Sequence, residues 1–201
     1  MIPPMNSMDA PQRALPLANA GTRRLLVQVA GVVAFAGLTA VASQIRLYLP
    51  GTPVPVTLQT LVVLLAGMTL GPWLGMAGMA FYLLLGICGY HVFAGDAWQS
   101  AYLFGPTGGY LLGFVLAQPV IGLLTRRGGG WGALLAAALA GNAIIFAAGL
   151  TWLHLWSGAS ALATLTMGLW PFVPGLILKT AAATAGGRAL QPVSRRLFAA
   201  R

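Results

Sequence analysis

The only lysine of the chain, Lys179, lies in the apolar sequence VPGLILKT (173–180). A charge in apolar surroundings is costly unless it is paired, and a lysine ammonium is a compact charge that can hold a carboxylate. The only acidic residues, Asp9 and Asp96, lie outside the apolar stretches. The pattern therefore favours an anionic ligand as the partner of Lys179. The alternative is that its long side chain reaches the membrane interface and the charge has no role.

Several other polar groups stand near the ends of apolar segments. Thr57 and Gln59 precede one such segment, and the sequence GPTGGYLLGF (105–114) opens another. In the latter, Thr107 is expected to cap a helix, while Gly108 and Gly109 let a ligand approach the backbone beside Tyr110; a plain turn with packing glycines is the alternative. Together these groups predict a small-molecule pocket that is mostly apolar, with a few fixed polar groups.

Other candidate residues have structural alternatives. Asn142 lies inside an apolar segment, where an amide needs a hydrogen bond, either to a ligand or to another helix. Trp98, Tyr102, Tyr110 and Trp170 are expected to form pocket walls or a belt at the membrane interface. Two isolated histidines and one cysteine do not have the spacing of a metal site. The sequence therefore predicts no catalytic set, no metal and no cofactor.

The composition predicts the environment that must position these groups. Hydrophobic residues make up 58% of the 201 residues and charged residues only 6%, whereas soluble domains carry about 25% charged residues. We therefore expect an all-α integral membrane protein. Its net charge of +9 would suggest nucleic acid in a soluble protein, but the arginines cluster between apolar runs, so nucleic acid is not expected as a partner.

Six transmembrane helices are predicted from the apolar runs. A span takes about 20 residues, or fewer where the segment is buried in protein. Three prolines in LPGTPVPVT (49–57) predict an extended outer loop, and 157–170 forms either the start of the last span or, as we prefer, a short interfacial helix. The spans are expected at 25–44, 57–70, 73–90, 107–124, 131–150 and 171–190.

The arginines predict the orientation of this bundle. Six spans place every arginine except Arg46 on the side of the termini, so both termini are expected in the cytoplasm and the protein in the cytoplasmic membrane. We divide the chain into a flexible cytoplasmic tail (1–22), a transmembrane substrate-binding domain (23–190) and a basic cytoplasmic tail (191–201). Small residues at four-residue spacing in the first span, among them Ala36 and Ala40, favour close packing against this chain or a partner.

Four motifs, in order along the chain, resemble the BioY family. They are TPVPVTLQTLVVLLAG (52–67), GPTGGYLLGF (105–114), GN (141–142) and PFVPGLILK (171–179). BioY proteins are biotin-binding S-components of energy-coupling factor (ECF) transporters. The resemblance implies a six-helix S-component fold, biotin near the outer face, and Lys179 beside the biotin carboxylate. It also implies docking through Ala36 and Ala40 onto a transmembrane coupling subunit that works with cytoplasmic ATPases, unless this member acts alone.

The chain departs from the family pattern at one position. BioY proteins commonly read PGDxxK here, and this chain has Leu176 in place of the aspartate. Since that carboxylate is expected to help bind the ureido ring of biotin, we hypothesise that Asp96, Gln99 or Asn142 supplies the acceptor instead.

The sequence supports four alternatives to biotin uptake to different degrees. An S-component for another small carboxylate-bearing vitamin or a biotin precursor is the nearest. A proton-coupled carrier and an intramembrane enzyme, including one with a Schiff base on Lys179, are disfavoured because the predicted spans contain no carboxylate. A purely structural subunit leaves Lys179 unexplained.

Overall fold

A computed structural model describes residues 20–95 and 99–198 of the chain. Within this part the protein is helical, apart from two short strands and the connecting turns. The elements are α1 (Ala20–Gln44), β1 (Arg46–Leu47), β2 (Val56–Thr57), α2 (Gln59–Leu70), α3 (Pro72–Ile87), α4 (Gln99–Phe104), α5 (Gly108–Gly128), α6 (Trp131–Ser157), α7 (Ala161–Gly168), a 3-10 turn (Trp170–Phe172) and α8 (Val173–Leu197).

Each of the six predicted spans overlaps one helix: α1, α2, α3, α5, α6 or α8. In the described part of the chain, four segments are long and apolar enough to cross a membrane: 21–44, 108–128, 131–157 and 161–197, the last containing α7 and α8. Helices α2 and α3 are apolar but shorter, with 12 and 16 residues. The all-helical membrane class is thus confirmed, whereas the count of six crossings stays a prediction. Helix α8 also continues to Leu197, into the segment assigned to the basic tail.

The preferred arrangement of 157–170 agrees with the structure to the extent that α7 is a separate short helix. Gly158 ends α6 in a left-handed conformation, and the Ser160 side chain caps α7 by accepting a hydrogen bond from the Ala163 amide. Pro171 and Pro174 stand at helix starts, where their missing N–H groups cost little. The chain therefore turns at the prolines and enters α8 there.

The bundle has two chemically different ends. The starts of α1, α3 and α6 and the ends of α2, α5 and α8 share one end, which carries Arg23, Arg24, Arg126, Arg127, Arg195 and Arg196. We call it the arginine-rich end. The sharp α2–α3 turn there depends on Gly71, whose φ of +82° favours glycine, followed by Pro72 at the first position of α3. The opposite end carries β1, β2, α4 and α7, and we call it the loop end.

The centre of the bundle is α5, which packs against α6, α3 and α2. Its Gln118 is fully buried and donates hydrogen bonds to the carbonyls of Val63 (3.1 Å) and Phe114 (3.0 Å). Many large apolar side chains instead point outward, including Leu155, Leu162 and Leu178. Apolar residues on both the inside and the outside are expected of a bundle that lipid surrounds.

The proline-rich segment after α1 forms the predicted non-helical loop. Strands β1 and β2 pair antiparallel, with Arg46 opposite Thr57 and Leu47 opposite Val56. Pro50, Pro53 and Pro55 lie between or beside these strands, where they interrupt no helix. We call residues 45–58 the lid, because they cover the cavity described next.

Candidate functional site

A small cavity lies under the lid at the loop end of the bundle. Its volume is about 50 Å³, and its walls come from the lid, α2, α4, α5, α6, the 3-10 turn and α8. The lining residues are Val54, Pro55, Thr57, Gln59, Thr60, Tyr102, Thr107, Tyr110, Leu111, Phe114, Ile145, Phe146, Phe172 and Lys179. An apolar lining with a few polar groups is typical of small-molecule sites.

Lys179 is the only charged residue that lines this cavity. The side chain is half-buried, and its Nζ donates a 3.0 Å hydrogen bond to the carbonyl oxygen of Thr57 in the lid. None of the described residues is an aspartate or glutamate, so the ammonium has no carboxylate partner in this part of the chain. The geometry thus holds a cation at the cavity with one neutral acceptor.

A chain of hydrogen bonds fixes the polar wall that faces the lysine. The Thr57 hydroxyl donates to Gln59 Oε1 (3.1 Å), Gln59 Nε2 donates to the Tyr82 hydroxyl (2.6 Å), and Tyr82 donates to the carbonyl of Val92 (3.0 Å). Gln59 and Tyr82 are buried. Each group therefore sets the orientation of the next. The neighbouring Thr60 Oγ1 is buried and makes no hydrogen bond with the described residues.

Three aromatic rings form the opposite wall. Tyr110 is edge-on to Phe146 at 5.8 Å between centroids and stacks on Phe172 at 6.3 Å. The Tyr110 hydroxyl donates to the carbonyl of Gly168 (2.7 Å), so its polar end is satisfied away from the cavity. The wall therefore presents apolar ring surface to a ligand.

The start of α5 differs from the prediction. Thr107 makes no side-chain cap, and its hydroxyl instead donates to the carbonyl of Tyr102 (3.1 Å). Gly108 and Gly109 are buried and do not line the cavity: a Cβ on Gly109 would collide with Trp152 and the Ala148 carbonyl. Contact of these glycines with a ligand stays a prediction, and the contacts that the structure gives them are mainly with α6. The two glycines allow α5 to approach α6, which is the packing alternative.

Asn142 joins two helices. Its Nδ2 donates a 3.0 Å hydrogen bond to Thr180 Oγ1, the residue that follows Lys179. Asn142 does not line the cavity, and its buried Oδ1 makes no hydrogen bond among the described residues. The interhelical alternative is therefore the one the structure shows.

Comparison with known proteins identifies the family of this chain. The family model described as the BioY family matches residues 12–196. The chain belongs to the BioY family. A relative in Pyrococcus horikoshii, "Probable biotin transporter BioY", is 36% identical over 164 residues, covering 82% of this chain and 96% of the relative. "Biotin transporter BioY" of Thermotoga maritima is 45% identical over 101 residues, covering 50% of this chain and 60% of the relative.

The fold of this BioY chain is that of a solved S-component. The match is to the structure described as the S-component for biotin from an ECF-type ABC transporter. Its TM-score is 0.80 at 22% identity, and it covers 88% of this chain and 98% of that one. The S-component fold implied by the sequence motifs is thereby confirmed.

Three predicted residues of this BioY chain fall where the structure is not described. Asp96 and Trp98 lie outside the described residues, and the Gln99 side chain also does. Leu176, which replaces the family aspartate, is half-buried against the core and does not line the cavity. Among the predicted pocket residues whose side chains are described, the structure brings together at the cavity Lys179, Thr57, Gln59, Tyr102 and Tyr110.

The predicted docking pair on α1 requires a correction. Ala36 is 0% exposed and belongs to the core of the bundle, and Ala40 is half-buried against that core. Ala36 is therefore unavailable to a partner. Ala30, Ala34 and Gly37 are exposed small residues on the other face of the same helix.

Several lining residues were not predicted from the sequence. Phe146 lies one helical turn after Asn142, so its position on the inward face of α6 was available from the spacing. Phe172 sits between the two prolines at the start of α8, where the turn directs it inward. Thr60 and Phe114 carried no separate signal in the sequence, because similar residues face lipid elsewhere in the chain.

Proposed function

We propose that this BioY protein takes up biotin across the cytoplasmic membrane, as an S-component that binds the vitamin under the lid and works with an ATP-driven coupling module. Membership of the BioY family and the names of its relatives support this function. The chain is accordingly a transport protein and not an enzyme.

The observation that carries the proposal is the environment of Lys179. The ammonium lines an otherwise uncharged cavity and is held by a single neutral carbonyl. A ligand carboxylate is a stronger acceptor than a peptide carbonyl for this ammonium, because its full negative charge adds Coulomb attraction to the hydrogen bond. Biotin's carboxylate would therefore replace Thr57 as the partner of Lys179.

The ureido ring needs neutral recognition in this chain, since Leu176 stands in place of the family aspartate. We assign that role first to Thr57, Gln59 and Thr60, because all three line the cavity and the Thr60 hydroxyl is buried without a partner. Asp96 and Gln99 remain alternative acceptors. The aromatic wall of Tyr110, Phe146 and Phe172 suits the apolar thiolane ring and alkyl chain.

Binding requires the lid to open. Small-molecule sites usually have volumes of about 300–1,000 Å³, and the cavity has about 50 Å³. The lid is anchored to α8 through the Lys179–Thr57 hydrogen bond. We therefore propose that the carboxylate releases this anchor as the ligand enters, and that the lid then closes over the bound vitamin.

The remaining parts of the proposal concern orientation and partners. The arginine-rich end lies in the cytoplasm, so that both termini are cytoplasmic and the lid faces outward, as the distribution of arginine favours. The exposed apolar face of α1, with the small residues Ala30, Ala34 and Gly37, docks onto the transmembrane coupling subunit. The rest of the outer surface contacts membrane lipid.

Direct binding to the purified protein tests the function. We expect biotin to bind in preference to desthiobiotin and thiamine, and to raise the unfolding temperature. Uptake by cells is expected to fail without the coupling ATPase and to continue with an uncoupler. Preference for thiamine, or no binding of biotin, would exclude biotin as the substrate, and uptake lost only with the uncoupler would favour a proton-coupled carrier.

A further inference from the structure

A second and larger cavity opens at the arginine-rich end, away from the lid. Its volume is about 310 Å³, and its walls are the ends of α2, α5 and α8. The lining residues are Met68, Thr69, Leu70, Gly71, Gly122, Thr125, Arg126, Gln191, Ser194, Arg195 and Phe198. It shares no lining residue with the cavity under the lid.

Two arginine side chains stand at this cavity. Arg126 and Arg195 both line it and are exposed at its mouth, and neither donates a hydrogen bond to any of the described residues. The described ranges, 20–95 and 99–198, contain no acidic residue. The positive charge of the cavity is therefore not neutralised within this part of the protein.

Two glycines leave room for these guanidinium groups. A Cβ on Gly71 would lie 2.9 Å from Arg126 Cζ, and a Cβ on Gly129 would lie 2.6 Å from an Arg195 amino nitrogen. Both glycines have positive φ, +82° and +60°, so each turn also favours glycine for its backbone. The two turns thus let the guanidinium groups lie against the backbone beside the cavity.

Buried hydroxyl groups add unused donors. Thr69 and Thr125 line the cavity and are only 5% and 7% exposed, yet neither Oγ1 has a hydrogen-bond partner among the described residues. Buried polar groups of this kind are usually satisfied, and a hydroxyl left without a partner costs free energy. Two guanidinium groups and two free hydroxyls at one cavity form a donor set suited to an anion with several acceptor oxygens.

We propose that this cavity binds the phosphate group of an anionic phospholipid. The arginines lie at helix ends, where a span reaches the headgroup layer, and basic pockets between transmembrane helices bind anionic headgroups. Exposed apolar side chains lie near the two arginines in the same helices: Leu123 in α5, and Val193 and Leu197 in α8. They offer the acyl chains an apolar surface. A soluble phosphate would make no use of that surface.

Matched variants in detergent test the site. Arg126→Gln/Arg195→Gln removes the two lining charges, and Arg127→Gln/Arg196→Gln removes two neighbouring charges that do not line the cavity. Phosphatidylglycerol, phosphatidylcholine and inorganic phosphate are each titrated, with native mass spectrometry and the unfolding temperature as measurements. We expect one tightly bound phosphatidylglycerol in wild type and in the control variant, and at least tenfold weaker binding in Arg126→Gln/Arg195→Gln. Thr125→Val, a smaller change, is expected to weaken binding several-fold.

Several results would overturn the proposal. Equal affinity of the two double variants for phosphatidylglycerol would show a general charge effect. Equal affinity of wild type for phosphatidylcholine would remove the requirement for an anionic lipid, and equally strong binding of inorganic phosphate would identify a soluble anion instead. Unchanged lipid affinity in Arg126→Gln/Arg195→Gln, together with failure to assemble with a coupling module, would assign the arginines to a protein contact. If that double variant does not fold, the phosphatidylglycerol affinities of Arg126→Gln and Thr125→Val are compared with those of wild type and the control variant instead.

Discussion

The Nζ of Lys179 lies 3.0 Å from the carbonyl oxygen of Thr57, although 122 residues separate the two in the chain. This bond connects the last helix to the lid over the cavity. A carboxylate that enters the cavity competes for the same ammonium. The proposed function therefore couples ligand recognition to lid opening through one side chain.

Replacement of Lys179 by methionine is the first test of that coupling. Methionine keeps an unbranched apolar stem and removes the charge. Since hydrogen bonds to charged groups contribute about 1.5–3 kcal/mol, we expect roughly a tenfold to hundredfold weaker binding of biotin. Binding of biotin amide, which has no carboxylate, is expected to change much less. Calorimetry with both ligands measures the difference, and Arg127→Met at the other end is the control. Equal losses for the two ligands would contradict the carboxylate role.

A disulfide across the lid tests its movement. A Cβ on Gly175 would lie 3.9 Å from Val56 Cγ1, so cysteines at the two positions are close enough to approach disulfide geometry. In a Cys88→Ser background, which removes the native exposed thiol, we expect oxidised Val56→Cys/Gly175→Cys to bind no added biotin and to recover on reduction. Each single-cysteine variant under the same oxidant serves as the control. Normal binding by fully cross-linked protein would show that ligand enters without lid opening.

Lys179 and Gly109 show how much of this molecule the sequence determines. The lone charge in an apolar helix and the helix-breaking prolines were sufficient to predict α8 and to single out Lys179, which lines the cavity. In the sequence, Gly109 looked like a glycine that admits a ligand. The structure explains it by a packing contact with Trp152, which belongs to another helix. Which side of a helix faces a partner, a ligand or lipid depends on such tertiary contacts.

Ala36 shows that the orientation of a whole helix face also depends on tertiary contacts. In a membrane helix both faces are apolar, so the hydrophobic pattern that identifies the inward face in a soluble protein is weak. The spacing of alanines in α1 predicted close packing, and packing occurs at Ala36, but within the chain. The face left exposed became apparent only from the arrangement of α1 against α3 and α2.

The hydrogen-bond chain behind the site predicts a specific effect of Tyr82→Phe. The hydroxyl accepts from Gln59 and donates to Val92. Its removal leaves the buried Gln59 Nε2 without a partner among the described residues, whereas the Val92 carbonyl still has Ser43 Oγ at 2.8 Å. We expect a loss of about 1–3 kcal/mol in the free energy of unfolding and a several-fold loss of biotin affinity, because the Gln59 amide is no longer held. Denaturant unfolding in detergent and calorimetry measure the two. Tyr90→Phe, at a residue that is 63% exposed, is the control; an equal effect there would contradict the assignment.

A double-mutant cycle separates the structural and ligand-binding roles of Asn142. With Asn142→Leu and Thr180→Val, we expect a coupling energy of about 0.6–1.7 kcal/mol in unfolding, the range found for hydrogen bonds between membrane helices. Biotin affinity is expected to stay within a few-fold of wild type in Asn142→Leu. Loss of biotin binding with unchanged stability and no coupling would instead make Asn142 a ligand contact.

The two faces of α1 predict opposite consequences of neighbouring substitutions. Ala36 is enclosed by the core, so Ala36→Leu is expected to overpack it and reduce the free energy of unfolding by about 1–3 kcal/mol. Ala34 is exposed, so Ala34→Phe is expected to leave stability and biotin binding unchanged but to reduce uptake strongly, since a large side chain prevents close approach of the coupling subunit. Leu178→Phe, at an exposed position of α8, is the matched control and should transport normally. Normal uptake by Ala34→Phe would place the docking surface elsewhere on the bundle.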